Sequence, residues 1–562
     1  MQPDLPDDYY LVNFRELLSF VSRAYADLLT KEEADFASDF KSLPEAAARL
    51  YVRLLCRSKT LFRRDKLNYT EIPDLDSAIQ ELAATRFMLI NPELGVIDAL
   101  SLMTKPEISQ WLQDKGVSGC SKSALAKLKR ADTEQIVIDS LQSQSGFAEP
   151  VAIDRLPCAG LQILQPCREE VFCIYKLCFF GNLYQDMTDF VLRDLGLALY
   201  ENYRIDLDTR AFADRDQIEK HLLYYSVLDE ASQLDELTAN DALRLNKLLP
   251  CTDDATLLRR IDRFRNRLAR DLERAGEWQA ALELFAQSRR PPARERRARI
   301  LAANERESDA LDLCREVVAA PIDEEEKQVV GGFAARLAKK NGSPWEHEKP
   351  YKPPYETIVL ENNGESVELQ ARDYFDSQGQ CFYTENVLFD GVFGLAFWEQ
   401  IFLALPGVFF NPFQRAPADF YEPGFMRARQ AAIQQQFDAL SVPSALGEQV
   451  LTRFESKRGL QNPMVNWRHL DEELLQLALE RIPLADWLAI FNRLFSDTRL
   501  TRNGLPDLIL FPHDAAIPYQ LIEVKGPGDV LQKNQQRWMS FFAENDIDHR
   551  LCHIRWADNG TA

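Results

Sequence analysis

Apolar residues recur at helical spacing through most of the first 340 positions. Beyond them the apolar runs become shorter and richer in aromatic and β-branched residues. Near the start, Phe14, Leu17, Leu18, Val21 and Tyr25 stand three, four and seven apart, which predicts an amphipathic helix within 11–30. A second helical run extends from Leu43 to Cys56. Thr104-Lys105-Pro106-Glu107 then offers an N-cap threonine, an early proline and an early acid, so a helix is expected through Ile108, Trp111 and Leu112. It should stop at Lys115-Gly116. Ser121-Lys122-Ser123 opens the next helix, expected to carry Leu125, Lys127, Leu128, Lys129 and Arg130.

From 150 to 340 the text stays helical and rich in Ala, Leu, Arg and Glu. Ala275–Phe285 and Glu307–Cys314 share an A-L-x-L pattern, with Leu282 and Leu311 lying 29 residues apart. That period is near the ~34 of a tetratricopeptide repeat and predicts stacked helical pairs. Arg289, Arg290, Arg294, Arg296, Arg297 and Arg299 crowd the link between them; surface solubility explains them first and DNA contact second. Asn341-Gly342-Ser343-Pro344, with Pro350, Pro353 and Pro354, forms a connector that sustains neither helix nor sheet. A new domain is expected from about 355.

The chemistry concentrates in two short β-prone runs. Gly504-Leu505-Pro506-Asp507-Leu508-Ile509-Leu510-Phe511 and Tyr519-Gln520-Leu521-Ile522-Glu523-Val524-Lys525-Gly526-Pro527 read as strands joined by a hairpin-type loop. Side chains two apart share a face of a strand, so Glu523 and Lys525 project together while Val524 turns into the core. Asp507, 16 residues before Glu523, stands at the head of the partner strand. Two carboxylates and an ammonium on one face suit a hard divalent cation, completed by water and substrate phosphate. Such a site hydrolyses phosphodiesters. The same residues also fit a structural hairpin with an exposed Glu/Lys pair. Glu385 precedes an apolar run from Phe389 to Trp398 and reads either as a further acid of the site or as a helix cap. Gln535, on a helix with Leu531, Trp538 and Phe541, either points back at the site or lies on the surface.

Charge narrows the partners. The 562 residues carry 87 acids against 66 bases, a net of −21, so any nucleic-acid contact must be a local patch. Arg57, Lys59, Arg63, Arg64 and Lys66, mixed with Phe62 and Tyr69, form one such segment; a solvated charged face accounts for it equally well. Lys122, Lys127 and Lys129 form another. The ten Cys lack C-x-x-C spacing and no His is interleaved among them, so a zinc site is not expected. No glycine-rich phosphate loop appears, hence no ATP. No run approaches the roughly 18 apolar residues of a membrane span, and Met1–Asp8 is acidic and proline-broken, unlike a signal peptide. A cytoplasmic protein is expected.

Taken together, these passages resemble the VRR-NUC branch of the PD-(D/E)xK nucleases, and within it the Fanconi-associated nuclease family. The resemblance rests on Glu385 with its aromatic helix, Gly407-Val408-Phe409-Phe410-Asn411-Pro412-Phe413-Gln414, Gly504–Asp507 and Glu523–Asp529. Residues 102–131 resemble a SAP hairpin used on duplex DNA. The resemblance implies a mainly α multidomain chain. Its expected parts are a basic, helical, winged-helix-like region (1–100), a SAP-like hairpin (101–135), TPR-like repeats (136–340), a connector (341–354) and an α/β VRR-NUC domain (355–562). It further implies 5′-flap endonuclease and 5′-to-3′ exonuclease activity of phosphodiesterase I type with Mg²⁺ or Mn²⁺, in interstrand-crosslink repair. Branched DNA would be the partner, placing the protein on the nucleoid when bound. By family role, Glu385, Asp507, Glu523 and the Val524 carbonyl would hold metal, Lys525 would assist the attacking water, and Gln414 would complete the site. The ubiquitin-binding zinc finger of eukaryotic members has no counterpart in the Cys/His pattern, which suggests a bacterial-type member. An inert helical DNA-binding scaffold and a four-way-junction resolvase remain as rival readings.

Overall fold

In the computed structural model, which describes residues 8–57, 59–143, 150–346, 351–442, 444–514 and 516–557, the first expected helix is Tyr9–Ala24. It buries Phe14, Leu17, Leu18 and Val21. The second expected run forms the helix Glu45–Leu55, with Lys31–Lys41 between the two. These helices join β1 (Phe62–Arg63), β2 (Met88–Ile90) and β3 (Ile163–Pro166) in a three-stranded antiparallel sheet of order β1-β3-β2. An aromatic core of Phe14, Phe36, Phe40, Tyr51, Phe87, Phe172 and Tyr175 fills this region.

The chain divides into two units, Met1–Leu197 and Ala198–Ala562. The expected boundary after 135 therefore falls inside the first unit. β1 and β2 are too short to stand as an isolated pair, and β3, some seventy residues further along, supplies the buried central strand on which both depend.

Within this unit the helix Lys105–Asp114 has its Thr104/Glu107 capping box and ends at Lys115, with Gly116 left-handed at φ 65°. The next helix differs from expectation. It spans Lys122–Lys127, and Leu128 and Lys129 are extended before Arg130–Gln142 begins. Asp132 reaches back to the Lys129 backbone N–H at 3.0 Å, so a capping interaction breaks the run.

The second unit opens with helices that stack in neighbouring pairs: Ala255–Arg274 with Trp278–Gln287, then Ala293–Ala303, Glu307–Ala319 and Glu324–Asn341. The arginines of the link are largely paired: Arg294 with Glu326 at 2.5 Å, Arg296 with Glu273, and Arg299 with Glu295 at 2.5 Å. Residues near 200 belong with the C-terminal domain. The Tyr203 ring stacks on Phe409 at 3.7 Å, and Glu201 accepts from both Lys457 and Trp398 Nε1 at 2.6 Å. The expected start at 355 thus leaves out part of that domain's packing.

The C-terminal sheet consists of β4 (Tyr355–Leu360), β5 (Gly379–Tyr383), β6 (Leu508–Pro512), β7 (Gln520–Lys525) and β8 (His549–Trp556), in the order β4-β8-β7-β6-β5. β4, β8 and β7 run parallel; β6 is antiparallel to both β7 and β5. Alternation sorts its side chains. Leu508, Leu510, Ile522 and Val524 join Ala371 and Phe375 of the helix Val367–Phe375 on one face. Ile509, Phe511 and Leu521 pack on the other face with the helices Val387–Ala396, Leu484–Ser496 and Lys533–Glu544. Among the described residues no helix is long and apolar enough to cross a membrane.

Candidate active site

The β6–β7 register places Leu508 opposite Ile522, so one step outward Asp507 comes level with Glu523. This is the meeting expected of the hairpin. The Asp507 carboxylate accepts the Val524 backbone N–H at 2.9 Å, fixing the acid to the partner strand. Glu523 and Lys525 share a face as the period of two requires, and Lys525 Nζ lies 2.6 Å from Glu523 Oε1. The face is covered, however: Glu523 is fully buried and Lys525 8% exposed. The helix Lys533–Glu544 supplies the cover.

Gln535 resolves to the site. Its amide nitrogen donates to Glu523 Oε1 at 2.5 Å, while its amide oxygen caps the helix by accepting the Gln532 N–H at 2.9 Å. The turn that aims this helix is closed by Asp529, which accepts the Gly526 N–H at 2.9 Å. Gly504 lies just before Asp507 at φ 93°, and a Cβ there would come within 3.0 Å of Asn534, so only glycine lets this loop touch the helix start.

Glu385 is carried past the end of β5. The Asp507 carbonyl accepts both the Thr384 and Glu385 N–H groups, at 2.9 and 3.1 Å. Glu385 sits at φ 41°, a strained position for a residue with a Cβ, and the paired backbone contacts hold it there. The Tyr383 hydroxyl donates to Glu385 Oε2 at 3.0 Å, and Asn386 donates to Oε1 at 3.4 Å. Asn386 also accepts the Leu505 N–H at 3.2 Å, tying the helix start to the loop before Asp507.

The electrostatics are those of a site short of positive charge. Burial first, then the Asp507 charge, pushes Glu523 up to about 8, against the pull of Lys525. Burial lifts Asp507 to about 6, with Glu368 and Glu385 adding to it. Glu523 Oε2 is buried and has no hydrogen-bond partner among the described residues. An orphaned carboxylate oxygen beside a second acid is costly, and a bound cation relieves it. Among the described residues no three His, Cys, Asp or Glu side chains are grouped tightly enough to hold a metal unaided. Neighbouring buried carboxylates, completed by water and phosphate, are what a Mg²⁺-type ion takes. The residues present fit such an ion.

Gln414 does not offer its amide to this site. Its oxygen accepts the Phe410 and Asn411 N–H groups, and its nitrogen donates to the carbonyls of Val408 and Ala416 at 3.3 and 3.2 Å. The side chain is consumed in closing the 408–416 loop. Two residues escaped the sequence reading: Tyr383, the last residue of β5, and Glu368, in the first turn of Val367–Phe375. An acid in the first turn of a helix ordinarily signals only a dipole partner.

The basic candidates lie in the first unit. Arg57, Lys59, Lys66, Lys122, Lys127 and Lys129 are exposed. The Arg57 guanidinium stands 5.4 Å from the Tyr69 ring centre. Arg64 is partly exposed and pairs with Asp76 at 2.6 Å. Arg63 is buried, clasped by Asp65 and Glu107 at 2.8 Å each, and its hydrogen bond holds Glu107 down at about 2. It therefore joins β1 to the SAP-like helix.

A mixed sheet carrying P-D at the head of one strand and E-x-K on its neighbour defines a nuclease domain of the VRR-NUC class, and the family model for the VRR-NUC domain matches residues 443–556. That for the FAN1 HTH domain matches residues 8–89. The Fanconi-associated nuclease 1 homolog of Pseudomonas aeruginosa is 36% identical over 567 residues, covering 99% of this chain and 97% of that protein. Human Fanconi-associated nuclease 1 is 22% identical over 639 residues, covering 97% of this chain and 62% of its own length. Crystal structures of paFAN1 bound to gapped DNA with a 2-nt or 1-nt 5′ flap superpose with TM-scores of 0.82 and 0.81 at 33% identity, covering 99% of this chain and all of theirs. The chain belongs to the Fanconi-associated nuclease family.

Proposed function

We propose that the chain is a metal-dependent, structure-selective DNA nuclease. Its activities are those of a 5′-flap endonuclease and a 5′-to-3′ exonuclease of phosphodiesterase I type, used in interstrand-crosslink repair. The observation that carries the reading is the buried Glu523 carboxylate, with one oxygen unsatisfied, level with Asp507 and clamped by Lys525. Glu385, Asp507, Glu523 and the Val524 carbonyl would hold Mg²⁺ or Mn²⁺. When bound, such an ion supplies a Lewis acid that makes water acidic near neutral pH and neutralises charge developing on a phosphodiester.

The chain's own groups do the positioning. Lys525, pinned by Glu523, orients a non-bridging phosphate oxygen and the attacking water. Gln535 and Tyr383 hold the carboxylates of Glu523 and Glu385 in register. Arg57, Lys59, Arg64, Lys66, Lys122, Lys127 and Lys129 grip duplex phosphates, and such contacts place a strand without reading its sequence. Arg63, engaged by two carboxylates, holds that surface together. Branched DNA as substrate is supported by the flap DNA bound in the crystal structures of paFAN1.

The rival scaffold reading is disfavoured by the intact Asp507–Glu523–Lys525 set. Asp507→Ala should abolish cleavage of a 5′-flap duplex while leaving its binding in place; loss of both would make the residue structural. A resolvase would prefer a four-way junction when the two substrates compete, whereas we expect the flap to be cleaved first.

A further inference from the structure

One buried acid close in sequence to Glu385 takes no part in the chemistry above. Asp390 lies on the helix Val387–Ala396, which otherwise turns Leu388, Phe389, Val392 and Phe393 into the apolar core. It is 5% exposed, and its Oδ1 is buried with no hydrogen-bond partner among the described residues. Such a carboxyl is costly. Burial pushes it well above the usual range, and the pull of Arg502 opposes that. Arg502 is only half engaged itself. It donates to the neutral Tyr421 hydroxyl, while its Nε is buried with no partner among the described residues. A guanidinium is charged at any working pH, so a part of it buried without an anion is costly too. Asp390 is the acid that meets this charge.

The two groups stand on the segments that carry Glu385 and Asp507. Asp390 lies one turn beyond Asn386, on the same face of the helix that follows Glu385. Asn386 accepts the Leu505 N–H at 3.2 Å, so this face meets the chain between Arg502 and Asp507 at two levels. Just ahead of Arg502, the Trp538 indole donates to the Thr501 carbonyl at 2.9 Å, and at the far end the Asp507 carbonyl accepts the Glu385 N–H at 3.1 Å. The backbone is thus held at Thr501, Leu505 and Asp507, with Arg502 as the charged side chain between the first two. We propose that Asp390 is a positioning residue: as the counter-charge to Arg502 it holds the Arg502–Asp507 segment against the helix start, and so sets the spacing of Glu385 and Asp507 for a divalent cation. The inference rests on the metal-dependent nuclease reading above and deepens it, because Asp390 would act on the site without touching metal or DNA. A carboxylate holds a guanidinium more strongly than a neutral amide does. That is a reason for an acid here in place of an asparagine of the same shape.

The test titrates Mn²⁺ into the full chain without DNA by calorimetry, above neutral pH where the carboxylate is favoured, and measures Tm and flap-cleavage kinetics alongside. The proteins are the wild type, Asp390→Asn, Arg502→Gln and the double variant. Asp390→Asn should keep its Tm yet raise the Mn²⁺ Kd about tenfold, the low end for groups that orient metal ligands. Its kcat should fall while KM for the flap stays in place. Arg502→Gln leaves the buried carboxylate unpaired and should lower Tm, which the double variant restores. The double variant should lose no more Mn²⁺ affinity than the worse single one, as expected of two groups that act as a unit. Wild-type Mn²⁺ affinity and kcat in Asp390→Asn would overturn the proposal. So would losses in that variant that merely follow a lowered Tm, or losses that add in the double variant. A wild type that takes up no Mn²⁺ and leaves the flap uncut would overturn the nuclease reading itself, and the proposal with it.

Discussion

Glu523 sits in the fold with one carboxylate oxygen hydrogen-bonded twice and the other without a partner among the described residues. Its pKa is raised from 4.5 to about 8, so between those values the folded chain keeps a proton that the unfolded chain releases. Stability without metal should therefore fall as pH rises from about 5 to 8, and Glu523→Gln should flatten that fall. Melting curves with chelator check this, and equal slopes for both proteins would contradict it. Mg²⁺ should raise Tm more at pH 8 than at pH 6, because fewer protons must leave. Tyr383→Phe removes one solvent-exposed hydrogen bond to Glu385, worth about 0.5–1 kcal/mol. It should lower kcat/KM roughly two- to fivefold with Tm nearly unchanged; a lower Tm with normal kinetics would make Tyr383 merely structural. At this scale Asp507, Glu523 and Lys525 are legible because strand period and hairpin register decide where they point. Gln414 and Gln535 are not, because an amide's partners are chosen by loop closure and helix capping, which no spacing encodes.

The elements that matter most are the strands flanking the hairpin. β5 pairs with β6 from Gly379–Pro512 to Tyr383–Leu508, and its far end delivers Thr384 and Glu385 to the Asp507 carbonyl. A Cβ at Gly379 would stand 2.1 Å from the Phe511 carbonyl oxygen and 2.6 Å from the Pro512 Cα. Gly379→Ala should therefore cost roughly 1–3 kcal/mol and displace Glu385 as the strand shifts. Differential scanning calorimetry with a cleavage assay reads both effects, and wild-type values in both would show that β5 does not set the site. Helices with strong caps, such as that after Thr104, are legible in the sequence to within a residue or so. The break at Leu128–Lys129 is not, because the apolar spacing runs straight across it and the Asp132 cap competes locally.

The whole molecule departs further from the sequence reading than its parts do. Composition shifts at the proline connector suggested a domain starting near 355, yet Glu201 and Tyr203 are packed into it through Lys457, Trp398 and Phe409. Such long-range contacts leave no local signature. A fragment beginning at Ala198 should consequently melt cooperatively, whereas one beginning at 355 should be unstable or aggregate, having uncovered Trp398 and Phe409; equal Tm values would contradict this. We propose that Asp507, Glu523 and Lys525 together form a metal-dependent nuclease site. The most direct measurement is cleavage of a 5′-labelled flap duplex by the wild type and Lys525→Ala, with Mg²⁺ or Mn²⁺ and with chelator. We expect incision near the junction with either metal, none with chelator and none in the variant. Flap binding without cleavage under both metals, or cleavage that persists in Lys525→Ala, would contradict it.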